Sequence, residues 1–184
     1  MALTPSIMVA LGTRAPRFTL PDTHGAMVSL PDPGTHAAVL VVFMCNHCPY
    51  VKHVADELAR LGRVLPDRNV AMFGINSNDA QKYPADRPAA MVEEAAARGY
   101  VFPYLFDDDQ SVARAYRAAC TPDFFLFDRD LKLVYRGELD DSRPGNGKPV
   151  TGAALRAAID AVLDGRPPSD KQVPSMGCNI KWKG

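Results

Sequence analysis

Cys45 and Cys48 are separated by two residues in the run Cys45-Asn46-His47-Cys48-Pro49-Tyr50-Val51-Lys52. An apolar stretch precedes the pair and an amphipathic one follows. A thiolate at the start of a helix is stabilised by the first-turn amides and the helix dipole, which lower the thiol pKa from about 8.5. A second thiol in reach can then close on a mixed disulfide or on a sulfenic acid. Two thiols so spaced can therefore carry redox chemistry, with His47 and Lys52 as nearby positive charge. Zinc binding is the competing use, through Cys45, Cys48 and His47 or His53. A closed zinc site takes four ligands, and neither Cys120 nor Cys178 has a paired ligand beside it in sequence. No metal and no cofactor is expected.

The elements that would position the pair can be read from periodicity. Ala38 to Phe43 is continuous, apolar and mostly β-branched, as expected of a strand buried on both faces. Val51, Val54, Leu58, Leu61 and Leu65 recur at spacings of three and four, one face of a helix, with Pro49 suited to its first turn. Upstream, Phe18-Thr19-Leu20 and Met27-Val28-Ser29 flank an Asp/Gly turn and predict a small hairpin. Downstream come a strand at 70–75, a helix at 89–98 stopped by Gly99, a short strand at 104–106, and a helix from Asp107 to Tyr116. An antiparallel hairpin, 124–127 with 131–135, and a helix at 153–163 complete the series. Asn76 to Asp79 follows a buried strand and reads as a solvated turn, with lining of the site as the alternative, and Tyr83 to Pro88 reads as a surface connection. The stretch after Gly165 is rich in Pro, Gly and Ser and has no period. The economical architecture is α/β, a central mixed sheet flanked by helices, in one domain over residues 1–184 with residues 165–184 as a tail packed on it.

Bulk properties narrow the function classes. The 184 residues carry 21 Lys+Arg against 21 Asp+Glu, so there is no basic surplus for nucleic acid. No apolar run is long enough to span a bilayer, and the N-terminus lacks signal-peptide character. A cytoplasmic setting is expected, where four cysteines serve catalysis, metal binding or burial better than structural disulfides.

The chain resembles the thioredoxin superfamily, and within it the redoxin branch of alkyl hydroperoxide reductases and thiol-specific antioxidant proteins. The resemblance rests on Ala15-Pro16-Arg17-Phe18-Thr19-Leu20, the Cys45–Val51 run, and Thr121-Pro122-Asp123-Phe124-Phe125-Leu126-Phe127-Asp128. Tyr135-Arg136-Gly137 with Asp140-Asp141, and Gly177-Cys178-Asn179-Ile180-Lys181-Trp182, add to it. It implies a thioredoxin-like fold with an N-terminal hairpin. It also implies a cis bond at Thr121–Pro122 facing the active cysteine, where extended substrate backbone binds. The implied partners are a protein or small-molecule disulfide, or a peroxide, and an external thiol reductant; a homodimer is compatible with the branch.

Two registers remain open. One sets Cys45 as the attacking thiol. The other, counted from Phe43, sets Cys48-Pro49 on the peroxiredoxin Cys-Pro and leaves Cys45 as the resolving thiol. We prefer the second. The peroxiredoxin pattern is incomplete, because Cys45 and Val41 occupy the positions of its Thr and Pro. Disulfide reduction is therefore the first reading, thiol peroxidation the second, and a non-enzymatic metal or interaction module the third. Arg136 is a candidate for the arginine that polarises peroxide, against a plain strand-end ion pair. Cys120, close to Pro122, reads as a buried inert thiol or an auxiliary one. Cys178 reads as a tail thiol able to reach the site or as a passenger of tail packing.

Overall fold

The computed structural model describes residues 3–184. A five-stranded sheet in the order β6-β5-β4-β8-β9 forms the centre. Its strands are β4 (Ala38–Phe43), β5 (Val70–Asn76), β6 (Tyr104–Phe106), β8 (Asp123–Asp128) and β9 (Leu133–Gly137). β4 runs parallel to β5 and antiparallel to β8. All six residues of β4 are buried, because alternate side chains enter two different cores. Ala38, Leu40 and Val42 join Val54, Leu58 and Leu61 of helix α1 (Pro49–Val64) and Leu155 and Ile159 of helix α4 (Ala153–Leu163). Val39, Val41 and Phe43 face the other way, onto Tyr116 of helix α3 (Ser111–Tyr116), Phe125 and Ile180. Helix α2 (Pro88–Arg98) contributes Met91 to the first core, and Gly99 caps it with φ +68°. The hairpin of β2 (Thr19–Pro21) and β3 (Met27–Ser29) forms as expected.

Three expectations need correction. Helix α3 starts at Ser111, not Asp107. Gln110 takes a left-handed φ of 62°, while the Asp107 carboxylate accepts the amides of Val112 and Ala113. The acidic run thus caps the helix from outside it. The second strand of the late hairpin is Leu133–Gly137, because Leu131 turns with φ 58°. The tail is not irregular throughout. Strand β10 (Met176–Asn179) lies between β1 (Leu3–Pro5) and β7 (Cys120–Thr121) in a second, three-stranded sheet. None of these strands exceeds four residues, and each is defined by its partners and not by its own pattern.

Candidate active site

The antiparallel pairing of Phe43 with Asp123 brings the end of β4 beside the residues just before β8. The cysteine loop and Thr121 therefore meet. Cys48 is the N-cap of α1, with extended backbone, and Pro49 opens the first turn. Cys45 lies in the loop between β4 and the helix. The Cys45 sulfur is 3.4 Å from the Thr121 hydroxyl, and the Cys48 sulfur is 3.2 Å from the Thr121 carbonyl oxygen. The Thr121–Pro122 bond is cis. All four cysteines are buried thiols.

The two central thiols are electrostatically unlike. The Cys45 thiol, the Cys178 thiol, the Thr121 hydroxyl and the Val51 amide all favour a Cys48 anion. Against burial, they bring its pKa down to about 4. The contact with the Thr121 carbonyl suits only the protonated thiol; on ionisation the sulfur becomes an acceptor for the surrounding donors. Cys45 moves the other way. It donates to Cys48, is desolvated and lies near the Asp86 charge, so it resists ionisation well above the ordinary range. The two shifts are opposite in direction, and of the two residues Cys48 is the one at the helix start.

Asp86 fixes the loop. Fully buried, it accepts the Asn46 amide at 2.8 Å, His47 Nδ1 at 2.5 Å and the Asn78 side chain at 2.9 Å. Burial pushes its carboxyl up, but the bonds from His47 and Asn78 outweigh that and hold it below its usual value. His47 stacks on Tyr83 with ring centroids 5.1 Å apart. Tyr104 donates to Asn46 Oδ1 at 2.9 Å. The residues 83–88 are thus not a mere surface connection, and Asn76 to Asp79 are buried, not solvated. Asp86 and Tyr104 carry no signal in the sequence because their partners lie in other elements, whereas Asn78 belongs to the polar loop that the sequence offers as a possible lining of the site. Cys45, His47 and Asp86 place ligand atoms within 4.8 Å of one another. The carboxylate of that trio is already committed to three donors, and His53 points away to Ser142 at 2.6 Å.

The remaining candidates are placed as follows. Cys120 is buried and its thiol is pushed far up by desolvation, as an inert thiol would be. Arg136, on the outer strand β9, bonds Gln172 at 2.7 Å and makes no ion pair among the described residues. Thr121 and Pro122 sit at the thiols, but the backbone edge expected to take a partner chain is already filled. β10 pairs with it antiparallel, setting Cys178 opposite Thr121 and Asn179 opposite Cys120. The tail is tied down beyond that strand. The Lys181 amide donates to Asn78 at 2.8 Å, and the Lys181 carbonyl accepts from Asp79 and from Gln110. Asn78 thereby joins the tail to Asp86 and the cysteine loop.

No helix among the described residues is long and apolar enough to cross a membrane. Comparison with curated proteins gives no match. Two solved structures are close. An uncharacterized conserved protein from Geobacillus kaustophilus is 55% identical over 100% of this chain and 97% of its own, with a TM-score of 0.96. A hypothetical protein from Sinorhizobium meliloti 1021 is 51% identical over 98% of this chain and 99% of its own, also at 0.96. The thioredoxin domain of a thiol-disulfide oxidoreductase from Bacteroides vulgatus shares the fold at 22% identity and a TM-score of 0.59, covering 70% of this chain and 88% of its own. The AhpC/TSA family profile matches residues 11–136, more than half of the chain. The chain belongs to the AhpC/TSA family, built on a thioredoxin-like fold.

Proposed function

We propose that this protein is a thiol-disulfide oxidoreductase in which Cys48 attacks and Cys45 resolves. The observation that carries the reading is the Cys48 sulfur at the N-cap of α1, ringed by donors that include the Cys45 thiol. The Cys48 thiolate attacks one sulfur of a disulfide, and the other sulfur leaves as a thiolate. Cys45 then loses its proton and attacks the Cys48 sulfur of the mixed disulfide, expelling the second thiolate. The dithiol gives two electrons and two protons, and the substrate leaves as two thiols. An external thiol reductant restores the pair.

The filled edge at Thr121 favours a small disulfide over an extended polypeptide. The cavity at Pro122, lined by Tyr50, His53, Glu138 and Arg143 among others, measures about 20 Å³, room for one water. Both thiols are buried and that cavity admits no disulfide, so turnover requires the tail over Cys48 to shift. On this reading reduction of cystine and of oxidised glutathione is measurable, and lost in Cys48→Ser and Cys45→Ser. Wild-type rates in both variants would overturn the reading.

Thiol peroxidation is the second reading, favoured by the position of Cys48-Pro49 at the helix start in an AhpC/TSA chain. Cys48 would attack the peroxide O–O bond and become a sulfenic acid, which Cys45 closes with loss of water. Peroxide consumption with a dithiol reductant above the background of the Cys48→Ser variant is its test.

A further inference from the structure

Cys48 has a second thiol neighbour besides Cys45. β10 lies antiparallel to β7 with Cys178 registered opposite Thr121, the residue whose carbonyl the Cys48 sulfur touches at 3.2 Å. Cys178 is also within thiol hydrogen-bonding reach of Cys48 and donates toward it. α1 and β10 pack directly on one another. The approach is tight by construction, because a Cβ on Gly177 would stand 2.0 Å from the Thr121 carbonyl oxygen. Only a glycine lets the tail strand come close enough to deliver the next residue to Cys48.

From this geometry we infer that Cys178 is a third redox thiol, which takes over Cys48 from Cys45 and carries the oxidation onto the tail strand. The inference rests on the oxidoreductase reading above. The substrate disulfide leaves the protein with a Cys45–Cys48 bond. Cys178, as its thiolate, attacks the Cys48 sulfur; the Cys48–Cys178 bond forms as the Cys45–Cys48 bond breaks. Cys45 departs as a thiolate and regains the proton that Cys178 gave up, so no electrons are gained or lost in the exchange. An external dithiol then reduces the Cys48–Cys178 bond. The exchange moves the disulfide from the Cys45 loop to strand β10, which among the described residues is flanked by β1 on one side and β7 on the other, with Cys178 itself buried. Burial and the neighbouring Cys48 sulfur push the Cys178 thiol up to about 12, against the Lys181 charge three residues on; bonding of Cys48 to Cys45 removes the Cys48 anion that opposes ionisation of Cys178.

The experiment is cysteine mapping by peptide mass after one equivalent of diamide, on wild type, Cys45→Ser and Cys178→Ser, with circular dichroism to verify folding. Wild type is expected to give a mixture of molecules, some with an intrachain Cys45–Cys48 linkage and others with an intrachain Cys48–Cys178 linkage. Cys45→Ser should give Cys48–Cys178 alone, and Cys178→Ser should give Cys45–Cys48 alone with a several-fold slower return to the dithiol under an external dithiol. If Cys45→Ser stays reduced or links only between chains while wild type forms Cys45–Cys48, the third-thiol role is overturned and the oxidoreductase reading stands. If wild type forms neither linkage, the oxidoreductase reading falls first. Should Cys45→Ser fail to fold, trapping the wild-type linkages by acid quench at successive times decides the same point: a Cys48–Cys178 signal that never grows as Cys45–Cys48 declines overturns the inference.

Discussion

His47 and Asp86 meet at 2.5 Å, between a half-buried imidazole and a carboxylate with no exposure at all. The same carboxylate accepts the Asn46 amide and the Asn78 side chain, so a single residue outside the Cys45–Cys48 loop sets that loop's shape. Removing it strands three donors in a dry site. We expect Asp86→Ala to lose about 2–4 kcal/mol of unfolding free energy, the usual cost of leaving buried polar partners unmade. Asp86→Asn, which keeps two polar atoms in place, should lose less. Urea unfolding of the two variants beside wild type checks the ranking, and equal losses would mean that the carboxylate's bonds do not hold the loop.

The ionisation of Cys48 gives a spectroscopic prediction. Its pKa of about 4 lies below the ordinary 9.0, so thiolate absorbance in the ultraviolet should be present at neutral pH, vanish on acidification toward that value, and be missing in Cys48→Ser. Cys45→Ser should keep part of the signal, because the Ser hydroxyl still donates. The stability linkage has a definite sign. Between the two pKa values the unfolded chain binds a proton that the folded one does not, so the contribution of Cys48 rises with pH and is lost as pH falls through the folded value. A thiol that ionises only in alkaline solution would contradict both effects.

Elements that carry their own signal are legible in the sequence. β4 is an unbroken apolar run from Ala38 to Phe43, and α1 shows its buried face at Val54, Leu58 and Leu61. The cysteine pair at their junction, and Pro49 at the helix start, followed from those two. β10 was not legible, because four residues including a glycine have no alternation to detect. It exists through pairing with Leu3–Pro5 and Cys120–Thr121, far away in the chain. Asp86 was hidden for the same reason. Set between Pro84 and Pro88 it looks like turn chemistry, while the groups it serves, Asn46 and His47, lie 40 and 39 residues earlier.

Asp123 is expected to make the fold sensitive to alkali. It is fully buried, and desolvation raises its carboxyl to about 8 from the ordinary 3.8, against the Ala119 amide that it accepts at 3.1 Å. Below 3.8 both folded and unfolded forms are protonated; between the two values only the folded form holds the proton. The stabilisation therefore declines as pH rises and is gone above the folded value. This slope is opposite in sign to that of Cys48, so the two must be separated by substitution. Asp123→Asn keeps an oxygen for the Ala119 amide and removes the ionisation. It should unfold at higher urea than wild type in mildly alkaline buffer, with the gap narrowing in acid. A gap of the same size at both pH values would assign the difference to packing.

Gly177 sets how closely the tail lies over the thiols. A Cβ there would sit 2.0 Å from the Thr121 carbonyl oxygen and 2.7 Å from its carbonyl carbon. Both are backbone atoms, so no side-chain rotation relieves the clash, and β10 has to move away from β7. Gly177→Ala should therefore loosen the strand that covers Cys48, and the loss of packing and pairing should cost about 1–3 kcal/mol. The anchors at Asn78 and Gln110 lie beyond the glycine and remain in place, so the tail is expected to bow and not to detach. The readout is the rate at which iodoacetamide modifies Cys48, located by peptide mass. It should rise several-fold in Gly177→Ala, and Lys183→Ala, which loses only the exposed ion pair with Asp108, should leave it unchanged. If Gly177→Ala alkylates no faster than wild type, the tail strand is not what shields Cys48, and the route from solvent to the thiolate has to be sought on the Pro122 side of the site.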